Sequence, residues 1–388
     1  MPVVAVALCV MVVGTASARP RKHAPETDDA PPPVVDVPVV PVVPTLEKVF
    51  DHVLPVETGP IPTGLGSLSA QGCNGCHFDA HDGWAHSAHA TGFADPVFKH
   101  GSALAASPMC AECHLPLWVQ HTERFAPIEG SPDRLVTAPN EAFDATLAQE
   151  GVTCAACHVR EGKVVVAEPV ANAPHPTVVS PQLRDASLCA TCHSLTWPGA
   201  DKPLYDTYGE WERSAYAKAG ITCQACHIGR GADGGLVAHD VAQPAARAVS
   251  LLVDVDTVSL VRGGGPLAVA MRVQNTGAGH AFPTGSPWRI VRVQAALVGP
   301  VGKKGEVLPH PKATWTADLK RTIEDAPPWR TLADTRILPG EETAFSASLS
   351  LPADAQDGVW TLEVSLAFVR DGEVEVPFVV QRTPLRVD

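Results

Sequence analysis

Ten of the eleven cysteines fall into five copies of one pattern: Cys73-Asn-Gly-Cys76-His77, Cys110-Ala-Glu-Cys113-His114, Cys154-Ala-Ala-Cys157-His158, Cys189-Ala-Thr-Cys192-His193 and Cys223-Gln-Ala-Cys226-His227. Two residues between the thiols let both reach the two vinyl groups of a porphyrin from one helical turn, and the adjacent histidine can ligate the iron. Five copies in 388 residues do not arise by chance. They imply five covalently attached haem c groups. A zinc site would need the motifs to pair and gives no reason for a histidine after every second cysteine, and a disulfide reading shares that weakness.

Each iron has a sixth position, and the ligand there separates electron transfer from catalysis. Methionine is a poor source: of four, Met1 and Met11 lie in the leader described below and Met109 adjoins a motif cysteine. Histidine is abundant, with eleven of 16 left after the five motif residues. The expectation is therefore mostly bis-histidine, low-spin iron at low potential. His89 lies in Trp84-Ala-His-Ser87-Ala-His89-Ala, and His175 and His239 follow motifs three and five at corresponding places. His280 sits in Gly277-Ala-Gly-His280-Ala-Phe-Pro-Thr-Gly285, where small neighbours would let a loop approach a haem closely. For the fifth ligand His121 leads, with His100, His86 and His81 behind it. Any of these could instead face solvent or a propionate, and if none coordinates, one haem is open. Trp84, Trp118, Trp197 and Trp211 read as packing on haem faces or edges. His23 and His52, in or beside the proline-rich segment, read as solvated, and His310 reads as a loop residue.

The elements that must position these groups divide the chain into four. Residues 1–18 are apolar or small and end in Ala16-Ser17-Ala18, the form of a cleaved secretory signal, although Met-Pro-Val-Val at the start carries no positive charge. Cys9 lies in this segment, preceded by Leu8 rather than the small residue that lipid anchoring favours. Haem is joined to such thiols outside the cytoplasm, so export and the motifs support each other, and a periplasmic location is expected, with the cell exterior as the variant. Residues 19–62 read as a disordered tether: 20–62 hold 11 Pro and one Gly in 43 positions.

Residues 63–245 hold all five motifs and 10 Lys and Arg against 19 Asp and Glu, a balance of −9 within the chain's −13. Short helices around each motif are expected, with porphyrins filling the interior. Such an acidic chain is not built for non-specific nucleic-acid binding. A repeat runs through it: Cys110-Ala-Glu-Cys-His-Leu-Pro-Leu-Trp118 matches Cys189-Ala-Thr-Cys-His-Ser-Leu-Thr-Trp197, and Gly151-Val-Thr-Cys matches Gly220-Ile-Thr-Cys. Motifs two and three thus read as a duplicate of four and five. Residues 250–388 contain no cysteine and alternate with period two at 267–273, 291–297, 345–351 and 360–368. Asp371-Gly372 reads as a tight hairpin and Pro339-Gly340 as a turn. This is the pattern of an antiparallel, Ig-like β-sandwich.

Residues 63–290 resemble the bacterial multihaem cytochrome c superfamily that contains the small nitrifier cytochromes, pentahaem nitrite reductase and octahaem hydroxylamine oxidoreductase. The stretches that carry this are Cys73-x-x-Cys-His with Trp84-x-x-Ser-x-His89-Ala, then Leu188-Cys-Ala-Thr-Cys-His, Tyr208-Gly-Glu-Trp-Glu-Arg-Ser214 and Gly220-Ile-Thr-Cys-Gln-Ala-Cys-His. The resemblance implies close haem packing and distal histidines donated between segments. All five motifs here end in His, whereas the nitrite reductases carry a Cys-x-x-Cys-Lys haem. The tyrosine that cross-links the catalytic haem of the hydroxylamine oxidoreductases would have to be Tyr205, Tyr208 or Tyr216.

The functional expectation is an exported pentahaem cytochrome relaying electrons between redox proteins or a quinol-linked membrane complex. A reductase or oxidase of a small nitrogen or sulfur species at one five-coordinate haem is the alternative. In a third reading the β-domain is the working part, docking the protein to a partner.

Overall fold

The computed structural model describes residues 55–105, 109–128, 131–197, 199–230, 236–241, 245–300 and 309–388, all within one compact unit, Val42–Asp388. The expected signal sequence, most of the tether, His23 and His52 lie outside the described residues. Among those described, no helix is long and apolar enough to cross a membrane.

The motif-bearing part is built from short helices: α1 (Ala70–Asn74), α2 (Phe78–Ala85), α3 (Ala88–Thr91), α4 (Pro96–Ala105), α5 (Met109–His114), α6 (Cys154–His158), α7 (Ser187–His193), α8 (Thr207–Glu212), α9 (Ala215–Lys218) and α10 (Cys223–His227). Four to ten residues is too short for a helix to be stable alone, so their order comes from caps and neighbours. Ser69, Ser87 and Ser214 cap α1, α3 and α9 through their hydroxyls. Glu150 ties the first motif to the third, accepting hydrogen bonds from Ala70 N (2.9 Å), from the Ser69 hydroxyl, and from Thr153 Oγ1 (2.9 Å).

Two features here differ from the sequence expectation. A hairpin, Glu123–Ile128 with Ser131–Pro139, is inserted between motifs two and three, beyond the short helices expected around each motif. Residues 55–62, assigned by composition to the tether, run along the folded part: Val56 bridges Leu117, and Gly162 N donates to Thr58 O at 2.9 Å. An extended, proline-rich segment still offers backbone donors and acceptors to a neighbouring strand, which composition does not reveal.

The C-terminal part is two antiparallel sheets. The strands are β1 (Val249–Val255), β2 (Leu267–Asn275), β3 (Ile290–Val298), β4 (Pro309–Leu319), β5 (Glu342–Leu349), β6 (Gly358–Arg370) and β7 (Val379–Val387). One sheet has the order β5-β2-β1, the other β4-β3-β6-β7, with Ser259–Leu260 added parallel to β7. Alternation decides which face is buried: Leu267, Val269, Met271 and Val273 of β2 and Leu362, Val364 and Leu366 of β6 enter one shared core. Asp371 and Gly372 both take positive φ (50° and 84°), the geometry of a two-residue hairpin turn. The two parts meet where Trp197 packs edge to face on Trp329 (4.6 Å), and where Arg321 Nη1 donates to Pro203 O (2.7 Å).

Candidate haem sites

All ten motif thiols are free; motifs two to five each lie within one short helix, and motif one begins inside α1 at Cys73 and runs past its end. Thiols of different motifs lie close enough to influence one another's ionisation: Cys73 and Cys154, Cys113 and Cys192, and Cys189 and Cys223. Motif one therefore adjoins three, and motif four adjoins both two and five.

The motif histidines are turned the same way where their bonds are resolved. Nδ1 of His114 faces Gly92 O (2.7 Å), that of His158 faces Val165 O (3.0 Å), and that of His227 faces Val241 O (2.7 Å). His280 Nδ1 lies 3.0 Å from Ala281 O. A backbone carbonyl on Nδ1 fixes the tautomer, raises the basicity of the ring and leaves Nε2 to bind a metal.

Three pairs of rings face one another at a common distance. The centroids lie 6.2 Å apart in His89–His193, 6.2 Å in His158–His239 and 6.1 Å in His227–His280. A ring nitrogen roughly 2.0 Å from a metal and about 1.1 Å from its own ring centre would set two trans imidazoles about 6.2 Å apart. Among the described residues no three or more His, Cys, Asp or Glu side chains converge as a metal-ion site. Pairs without further ligands suit an iron whose other four bonds come from a porphyrin.

Electrostatics agree with this. Burial, with smaller contributions from His89 and His227, lowers the pKa of His193 to about 4, and burial likewise holds His89, His158 and His280 below the usual imidazole value. All four are neutral bases at pH 7, the form that ligates. His193 nevertheless keeps much of its surface uncovered. Paired, neutral rings with Nδ1 committed to backbone carbonyls fit a haem.

The other sequence-predicted residues are placed as follows. His175 lies beside His77, whose charge adds to burial in lowering its pKa, and its Nδ1 is buried without a hydrogen-bond partner. The histidine after motif three thus reaches motif one, while the one after motif five, His239, reaches motif three. His121 is buried with Nε2 2.6 Å from Leu115 O, the opposite nitrogen to the one the motif histidines commit. His86 is exposed, with Nδ1 2.8 Å from Asp82 O, and His100 is exposed on α4. His81 Nε2 is buried without a partner. The ring stacked on His114 is that of Phe98, at 3.8 Å and 22°.

Sequence reasoning passed over the Gly92 carbonyl, which fixes the His114 ring, and Glu150, which ties motif one to motif three.

No family model and no curated protein matches the chain. Among solved structures, the penta-heme cytochrome c552 from Thermochromatium tepidum superposes with a TM-score of 0.57 at 19% identity, covering 82% of this chain and 98% of that one. The two share a fold. The sporulation control protein Spo0M from Bacillus subtilis overlaps 36% of this chain and 49% of its own at 14% identity, but a TM-score of 0.20 carries no argument.

Proposed function

We propose that the chain is an exported pentahaem c-type cytochrome that relays electrons between redox partners. The observation that carries this reading is the set of three histidine pairs at 6.1 to 6.2 Å. Haem iron supplies the one-electron chemistry. The residues that would hold it are the ten motif cysteines as thioether anchors and His77, His114, His158, His193 and His227 as proximal ligands. Distal ligands would be His175 for motif one, His239 for three, His89 for four and His280 for five. Proximity of the thiols of motifs one and three and of motifs two, four and five, with Cys157 of motif three acting on Cys189 and Cys192 of motif four, supports a contiguous set of haems rather than isolated ones. In this reading the two-sheet part is an Ig-like sandwich that caps the haem segment. The acidic haem segment favours a redox protein or quinol-linked complex with a basic face.

The alternative, reduction or oxidation of a small nitrogen or sulfur species at an open iron, is favoured by one feature. His121 spends Nε2 on Leu115 O, and His114 is accompanied by Phe98, so motif two is where an open position would lie. Electron paramagnetic resonance of the oxidised, fully haem-loaded protein separates the two readings. Five low-spin haems support the relay; one stoichiometric high-spin haem, removed from the spectrum by nitrite or sulfite, supports the alternative. A protein with fewer than five covalent haems by mass would sink both.

A further inference from the structure

Two segments of the chain repeat one hydrogen-bonding device. In the first, Trp84 Nε1 donates to Val152 O (2.8 Å), Val152 N donates to His89 O (2.9 Å), and the Ser87 hydroxyl accepts from Ala90 N (3.3 Å). In the second, Trp211 Nε1 donates to Ile221 O (2.9 Å), Ile221 N donates to Tyr216 O (3.0 Å), and the Ser214 hydroxyl accepts from Ala217 N (3.4 Å). Val152 and Ile221 each stand two residues before a motif cysteine. Tyr216 therefore occupies the position of His89.

What the two positions face is different. His89 looks across 6.2 Å at His193. Tyr216 turns to the β-sheet part: its hydroxyl donates to Thr276 O (3.3 Å), and its ring lies under Gly279. A Cβ at Gly279 would come within 3.3 Å of both Tyr216 Cγ and Trp211 Cδ1, and one at Gly277 would fall 1.9 Å from Arg247 O. Glycine is required at Gly277, and at Gly279 a Cβ would have to push Tyr216 and Trp211 aside by a few tenths of an ångström.

Glu210, the residue before Trp211, completes the seat. It is buried, and its Oε2 accepts from Ala281 N (3.1 Å) and Thr284 Oγ1 (2.6 Å), while Oε1 accepts from Arg336 Nη1 (2.7 Å). Asn275 holds the other side, donating from Nδ2 to His280 O (2.8 Å). His280 is gripped between these contacts with its ring 6.1 Å from that of His227.

We infer that the second copy of the device has exchanged a ligand for a seat: Glu210, Trp211 and Tyr216 are positioning residues that hold His280, donated by the β-sheet part, against motif five. The inference rests on the haem reading above. It makes the coordination of one haem depend on how the β-sheet part is docked. A buried carboxylate that accepts two hydrogen bonds from the loop and one from Arg336 is costly to remove, because it leaves those donors unmet.

The test uses the full-length, haem-loaded protein. His280→Ala defines the spectrum of motif-five haem without its distal ligand. Glu210→Ala is expected to convert that same haem, one in five, to a high-spin or mixed-spin signal that added imidazole returns to low spin, with the other four unchanged. Glu210→Gln, which keeps an acceptor for Ala281 N, is expected to retain most of the low-spin signal. Gly279→Ala should perturb the same haem through the loop alone, and it serves where Glu210→Ala does not accumulate. Wild-type spectra and potentials in both Glu210→Ala and Gly279→Ala would overturn the inference, as would five low-spin haems in His280→Ala. A wild-type protein without covalent haem would instead overturn the reading beneath it.

Discussion

The two halves of this molecule are held together by different means. In the β-sheet part, 23 buried residues form one continuous core drawn from both sheets. Among the described residues of the longer motif-bearing part, the buried apolar clusters comprise six residues, around Leu117 and Leu147, and three, around Val165 and Val178. The histidine pairs and the neighbouring thiols lie in this part instead. The first half is a self-sufficient hydrophobic fold; the second has hydrogen-bonded helices too short to persist alone and little apolar surface to bury. In the proposed reading haem would supply the core that the motif-bearing half lacks, whereas the β-sheet half carries its own.

The largest expected effect breaks this comparison most directly. In protein matured without haem, hydrogen exchange should find the amides of 63–245 unprotected while β2, β3 and β6 stay protected; protection throughout would refute the division. Next in size, Leu366→Ala, at a fully buried site in the shared core, should destabilise the β-sheet part by about 2–5 kcal/mol in a denaturant titration and leave the spectra of the motif-one to motif-four haems unchanged. Trp84→Phe leaves the Val152 carbonyl without its donor and should cost about 1–3 kcal/mol, with a shifted potential for the haem that His89 faces. Trp211→Phe loses the equivalent bond, and its potential shift should fall on the haem that His280 faces.

The smallest effect concerns acid. Burial raises the Asp334 carboxyl, but the hydrogen bond and charge of Arg336 outweigh it and hold the group below its usual value. The unfolded chain then binds more protons than the folded one as pH falls, so this pairing stabilises above about pH 4 and is lost below it. With Asp334 partly exposed, the contribution is ~0.5 kcal/mol. The difference in thermal midpoint between wild type and Asp334→Asn should be constant from pH 7 to 5 and vanish toward pH 3. A difference that persists at pH 3 would assign the effect to packing.

How much of this was legible beforehand follows the range of each interaction. The five motifs could be read directly, because two thiols and a histidine within one helical turn carry their geometry in their spacing. The strands could be read because burial alternates with the same period as the pleat, and the Asp371-Gly372 turn because so few residues tolerate two successive positive φ values. The histidine pairings are another matter. His175 and His239 hold equivalent places in the repeat yet lie beside the first and third motifs, and His89 meets His193 from before motif two. His121 is close to motif two in sequence, but its ring turns to the Leu115 carbonyl. Glu210 resembles any glutamate on a short helix until the loop from the β-sheet part closes over it. Composition and spacing report what neighbouring residues do to one another. Which histidine faces which motif depends on segments far apart in the chain meeting at about 6 Å, and only the packing of the whole brings them there.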